Sequence, residues 1–289
     1  MTETGTPQTP QAQAVAQSPR VFADALCAVD GTRRSFTAVE QAAALVGPQG
    51  RLALLAVTAT RGSGQYSQAA ISPKRAERVL EHAARIARHA HVPYTSTIDP
   101  SSPAPDVVMA SALAHDLLAL GAPSGSWLAG MLIDGVAHSA VRSLSSPLLA
   151  ARPLAGGDHR FADRVIVASD GLDGSDELVE IAGRLACEQG AGVTLLHAVG
   201  VESRAHPHRV QEQVRRLELL VGGASEVRVE AGEAAEGIVH TARETSASLV
   251  VMGSRRLSGL RAIGSVSGRV LHEAPCSVLL FPPERLRGD

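Results

Sequence analysis

From residue 25 onward, short aliphatic runs alternate with longer segments whose apolar positions recur every three to four residues. The run Ala25-Leu-Cys-Ala-Val ends in Asp30-Gly31, and 140 residues later Val165-Ile-Val-Ala-Ser ends in Asp170-Gly171. Each run predicts a buried strand that stops at an Asp-Gly turn. The first is followed by Ala38, Ala42, Ala43 and Leu45, and the second by Leu178, Ile181, Ala182 and Leu185, the 3.6-residue period of a half-buried helix. Second strands follow at Leu52 to Val57 and Val193 to Ala198. Leu117-Leu-Ala-Leu-Gly121 matches Leu249-Val-Val-Met-Gly253 at an offset of 132, each behind a predicted helix, Asp106 to His115 and Glu233 to Glu244. Pro147-Leu-Leu-Ala and Ser277-Val-Leu-Leu close the two copies. They differ in connection length: the first has a Gly/Ser-rich loop near residues 61–67 and a charged helix from about Pro73 to His91, the second a shorter helix around His208 to Leu220.

Strands alternating with helices predict a parallel sheet covered on both faces, because right-handed crossovers put helices there. The expected fold class is therefore α/β: two tandem doubly wound α/β domains, each with a five-stranded, mostly parallel sheet. The expected units are 20–153 and 160–289, joined by a linker at 154–159. Residues 1–19, rich in Pro, Gln, Thr and Ala, predict a disordered tail. Ligands in such sheets sit at the carboxyl ends of the strands, so attention falls on Asp30 and Asp170, Val57 and Ala198, and the loops after Gly121 and Gly253.

Composition narrows the partners. Lys+Arg 27 against Asp+Glu 29 gives a net charge of -2, and aromatics are only 2%. Neither a global basic field nor a stacking platform for nucleic acid is present. The first twenty residues lack the basic start and apolar centre of an export signal, and no apolar stretch reads as a membrane span. Cys27, Cys187 and Cys276 lie far apart, without metal or disulfide spacing, which points to a reducing, cytoplasmic setting.

In the second copy, Met252 and Gly253 lead through Arg255 and Arg256 to Gly264, Ser265, Val266 and Ser267, where a helix is expected to begin. Glycine permits close backbone approach, a helix N-terminus offers free N–H groups, and the serines and arginines add donors and charge suited to a phosphate. A plain surface loop with a Ser-capped helix is the alternative reading of the same residues.

Taken together, the Ala-Val-Asp-Gly and Ala-Ser-Asp-Gly starts, the Leu-Leu-His-Ala strand, Val-Val-Met-Gly-Ser-Arg, Gly-Ser-Val-Ser and Ala-Pro-Cys-Ser-Val-Leu-Leu resemble the tandem, two-domain members of the universal stress protein family. The resemblance covers nearly everything after the tail. It implies the adenine nucleotide alpha hydrolase-like fold and a Gly-x-x-Gly, nine-residue gap, Gly-Ser/Thr motif for ATP phosphates, with Mg²⁺ as a possible companion. It also implies ribose and adenine contacts from the first two strand ends. Carried onto this chain, the second-half nucleotide residues are Ala168, Ser169, Asp170, Ala198, Met252, Gly253, Arg255, Arg256, Gly264, Ser265, Val266 and Ser267. The first-half set is Asp30, Val57, Gly121, Gly125 and Gly135.

The motif is altered in both copies. In the second, Arg256 stands where the second glycine belongs and the stretch to Gly264 is two residues short; in the first, three residues separate Gly121 from Gly125, and Val136 and His138 follow Gly135 where hydroxyls are expected. ATP binding is therefore expected mainly in the second half. Asp30 and Asp170 read as ribose ligands or as turn formers. His82, His89 and His91 read as a solvated helix face, with His206 and His208 in an exposed loop, and Cys276 as a buried, inert thiol. No phosphate-loop, dinucleotide or hydrolase-elbow motif is found, and nothing nominates a catalytic nucleophile with its base.

Three functions follow in order: a stress-response protein using ATP as a regulatory ligand, a nucleotide-free interaction module with decayed sites, and a slow ATPase. The resemblance further implies that the final strands pair the two halves across a pseudo-two-fold, with a homodimer and an unknown protein partner as further expectations.

Overall fold

The structure is a computed structural model and describes residues 19–58, 71–100, 104–122, 146–154, 160–199, 207–222, 226–254, 266–283 and 286. All but the last residue of the expected tail, the loop at 61–67 and most of the expected linker lie outside them.

The first half runs β1 (Asp24–Ala28), α1 (Arg33–Val46), β2 (Arg51–Val57), α2 (Pro73–His89), β3 (Tyr94–Asp99), α3 (Ala104–Ala112), β4 (Leu117–Gly121) and β5 (Leu148–Ala151). The second runs β6 (Arg164–Ser169), α4 (Asp173–Gln189), β7 (Gly192–Val199), α5 (Pro207–Val221), β8 (Glu226–Ala231), α6 (Ala234–Glu244), β9 (Leu249–Gly253), α7 (Val266–Glu273) and β10 (Ser277–Phe281). Local chemistry sets the boundaries. Thr32 caps α1 by accepting the Ser35 N–H at 3.2 Å, and α4 stops where Gly190 turns left-handed at φ 63°. Helix α3 starts earlier than its sequence pattern suggests, with Pro105 in its first turn, and ends at Ala112 rather than His115. His115 instead turns back, its Nδ1 2.9 Å from Asp24 Oδ1.

All ten strands form one sheet in the order β3-β2-β1-β4-β5-β10-β9-β6-β7-β8. Within each half the pairing is parallel. The halves meet through the antiparallel pair β5 and β10, where Leu149 faces Leu279, as expected for the closing strands. Alternate residues face opposite sides: Ala25 and Cys27 join the core beneath α1, α2, α4 and α5, whereas Leu26 joins the one beneath α3, α6 and α7. Each core runs unbroken across the join. Each fully buried leucine there contributes about 1.5–3 kcal/mol, so the halves fold as partners.

Polar contacts pin the seam. Ser277 Oγ accepts the Arg152 N–H at 2.9 Å and donates to Gln41 Oε1 at 2.7 Å, while Gln41 Nε2 donates to Arg152 O at 3.1 Å. Arg152 Nη2 then caps the end of α7 through Leu271 O at 2.8 Å. Cys27 and Cys276 are buried in the two cores, and burial pushes both thiols up to about 12, so both are inert at neutral pH. Among the described residues, no helix is long and apolar enough to cross a membrane.

Candidate functional site

In each half the chain leaves adjacent strands in opposite directions: β1 and β4 in the first, β6 and β9 in the second. These are the switch points of the sheet, where the strand ends leave a crevice. In the second half Ala168 is registered with Met252, so Asp170 and Gly253 lie just beyond on the two rims. Asp30 and Gly121 take the same places in the first half. Val57 closes β2 beside Asp99, and Ala198 lies near the end of β7 opposite Glu230. The structure therefore brings the expected strand-end residues of each half to one edge. Gly125, Gly135, Arg255, Arg256, Gly264 and Ser265 lie outside the described residues. Val266 begins α7 on the exposed side, while Ser267, one residue on, is buried.

Both aspartates shape turns. Asp30 Oδ1 accepts the Thr32 N–H at 2.9 Å and the Thr32 hydroxyl at 2.7 Å. Asp170 Oδ1 accepts the Leu172 N–H at 3.1 Å and the Ser175 hydroxyl at 2.5 Å. The following glycines take left-handed φ of 85° and 70°. Each carboxylate is nonetheless exposed at the rim, so turn formation and ligand contact are compatible roles.

The glycines on the opposite rims differ. A Cβ at Gly121 would lie 2.8 Å from Arg34 Cβ and 3.0 Å from Ser35 N, so β4 is pressed directly onto the first turn of α1. Among the described residues, a Cβ at Gly253 would meet Leu286 Cδ1 at 3.1 Å and nothing else within 4 Å. Leu286 also approaches Gly174, in the first turn of α4, its backbone oxygen 3.7 Å from the Cβ position there. Among the described residues, the second strand end is therefore not pressed onto its helix as the first is, and Leu286 lies against both Gly253 and Gly174. Leu172 stands where Thr32 caps α1, and it makes no side-chain cap to α4.

Beneath the second crevice lies a buried polar chain that sequence reading missed. Ser169 Oγ accepts the Gly171 N–H at 3.0 Å and donates to Gln213 Oε1 at 2.7 Å. Gln213 Nε2 donates to Asp176 Oδ1 at 2.7 Å, and Arg209 Nη1 to Asp176 Oδ2 at 3.1 Å. His197 Nδ1 lies 3.1 Å from Ser169 O; a carbonyl only accepts, so Nδ1 carries the proton and Nε2 is left as the acceptor of the neutral ring. The Ser169 hydroxyl is therefore committed downward, where it stiffens the Asp170 turn rather than facing the crevice. Leu286 was equally invisible, since nothing local marks a leucine more than thirty residues from Gly253 as its neighbour. Among the described residues, no group of three His, Cys, Asp or Glu could hold a metal ion.

Comparison with known proteins agrees with this architecture. The model of the universal stress protein family matches residues 22–152 and again 162–282. Universal stress protein YxiE of Bacillus subtilis is 33% identical over 145 residues, 41% of this chain and 97% of that protein. A Thermus aquaticus universal stress protein is 32% identical over 135 residues, 40% of this chain and 96% of that protein. The crystal structure of an Archaeoglobus fulgidus universal stress protein superposes with a TM-score of 0.72 at 21% identity, covering 94% of this chain and 99% of that one, which shows the shared fold. With both halves matched in sequence and architecture, the chain belongs to the universal stress protein family.

Proposed function

We propose that this universal stress protein binds an adenine nucleotide, ATP, in the crevice of its second half, and that occupancy biases its conformation or choice of partner. The observation carrying this reading is that, among the described residues, only the side-chain tip of Leu286 meets the Cβ position of Gly253, against the backbone contact that closes Gly121. The exposed Asp170 carboxylate would take the ribose, with Ala168, Ser169 and Ala198 lining the base side. Met252, Gly253, Arg255, Arg256, Gly264, Ser265, Val266 and Ser267 would serve the phosphates. Mg²⁺, where bound, would neutralise phosphate charge. The first-half set of Asp30, Val57, Gly121, Gly125 and Gly135 is the weaker site on the same grounds. ATP can regulate only through unequal affinity for two states, which in this reading would differ in whether Leu286 lies against Gly253.

The test is to denature freshly purified protein, chromatograph the released small molecules, and titrate ATP into nucleotide-free protein. Bound nucleotide or saturable ATP binding, abolished by Gly264→Val, is the expected result. No nucleotide and no binding up to roughly millimolar ATP, about -4 kcal/mol, would sink it and leave the interaction module, the reading that the seated Leu286 favours. Steady ADP production above an Asp170→Ala control would instead make the protein a slow ATPase. A cytoplasmic setting and a homodimer belong to the same proposal, and light scattering with and without ATP tests the second.

A further inference from the structure

Helix α2 carries Arg75, Arg78, His82 and Arg85 at i, i+3, i+7 and i+10, a spacing that puts them on one side. All four are exposed and, with Phe36 of α1 and Val79, line an open groove of about 420 Å³, the size of a small-molecule site. The His82 ring lies 4.2 Å from the Phe36 ring, and Arg85 Nη2 is 3.1 Å from His82 Nδ1. A guanidinium only donates, so His82 accepts and is neutral in this arrangement. Arg78 Nε reaches Lys74 O at 3.4 Å, and Arg75 Nη2 reaches Asp30 O at 3.3 Å. Each arginine thus spends one N–H on a neutral acceptor.

Among the described residues, no carboxylate pairs with Arg75, Arg78 or Arg85, although Glu77 and Glu81 lie on the same helix. Like charges so placed repel one another and cost stability unless an anion sits among them. The second half has the same groove neutralised. At the matching positions of α5, Arg209 pairs with Asp176 at 3.1 Å, and Glu212 stands in place of Arg78 and pairs with Arg216 at 3.5 Å. Leu219 takes the place of Arg85.

We infer that the first-half groove between α1 and α2 is a binding site for an oligophosphate, a linear anion of several phosphate groups, separate from the strand-end crevice. Three guanidiniums spread over ten helical residues, about 15 Å, offer forks to successive phosphates. An acidic peptide would need apolar anchors, and among the described residues the groove offers Phe36 and the buried Val79 alone. The site does not depend on ATP binding in the second half.

The test titrates tripolyphosphate alone into the full chain by calorimetry. One saturable site is expected, weakening with added salt and losing roughly tenfold or more in affinity in R78A/R85A, which removes two charge-assisted contacts. Both arginines are exposed and alanine favours the helix, so circular dichroism should be unchanged. The affinity should persist in G264V and in R216A, which alter the second half. Absence of saturable binding, binding that survives R78A/R85A, binding lost in G264V, or equal affinity for a hexaglutamate peptide would each overturn the inference.

Discussion

Below its first Asp-Gly turn each half must fill the same space, and the two use opposite chemistry. In the first half Val29, Ala56, Val79 and the partly buried Phe36 pack in one apolar core, with Val79 directly under Gly31. In the second the corresponding residues are Ser169, His197, Gln213 and Asp176, joined by hydrogen bonds. The apolar version needs only shape. The polar version holds each group in one orientation, because a buried donor or acceptor without its partner costs about 1–3 kcal/mol. One backbone therefore carries a plain hydrophobic support in one half and an oriented, hydrogen-bonded one beneath the crevice of the other.

The largest test of that contrast is at the rim glycines. Gly121→Ala should destabilise the protein by about 2–3 kcal/mol, since its Cβ would press on the backbone of α1. Gly253→Ala, which among the described residues meets a flexible leucine tip and no backbone, should cost no more than about 0.5 kcal/mol. Urea unfolding compares the two, and equal losses would erase the claimed difference in closure. Next, Gln213→Val should cost about 2 kcal/mol by leaving the Ser169 hydroxyl proton without its acceptor and Asp176 Oδ1 without its donor, and Val79→Gln a similar amount by burying an amide without partners. If either swap is neutral, the two supports are interchangeable.

At the opposite end of the strands, Asp24 bonds to Arg51 at 2.7 Å and His115 at 2.9 Å, whereas its counterpart Arg164 donates to the Thr245 carbonyl at 3.0 Å. Burial opposes ionisation of Asp24, but Arg51 and His115 prevail and hold its carboxyl below the usual 3.8. Its contribution is present above 3.8 and fades as the pH drops through the lower native value. Asp24→Asn should cost about 1 kcal/mol near neutrality, most of Arg51 being in water. Below 3.8, hydrogen exchange should quicken in β1 before β6. The smallest expected effect is Leu286→Ala, which should tighten ATP binding by a few-fold, under about 1 kcal/mol; weaker binding would make Leu286 part of the site.

Much of the fold was legible because its signals are local. Asp-Gly punctuation, Thr32 before α1 and Gly190 after α4 mark boundaries within a few residues of the backbone they direct. Helix α3 was misjudged at both ends because Pro105 suits a first turn and because His115 answers to Asp24, 91 residues away. The candidate site was legible as strand-end positions, not as contacts. Ser169 was singled out for its place at a strand end, whereas its hydroxyl points to Gln213, which no motif contains.

By itself the sequence determined the repeated α/β unit, the succession of strands and helices along each half, and the unequal glycine loops, since period, capping and turn chemistry act between near neighbours. Tertiary structure alone decided the continuous ten-stranded sheet, the Ser277–Gln41 seam spanning 236 residues, the placing of Leu286 against Gly253, and a first groove whose arginines, among the described residues, meet no carboxylate. These depend on which side chains meet across long loops, and a free side chain's partner is set by packing rather than by its place in the chain.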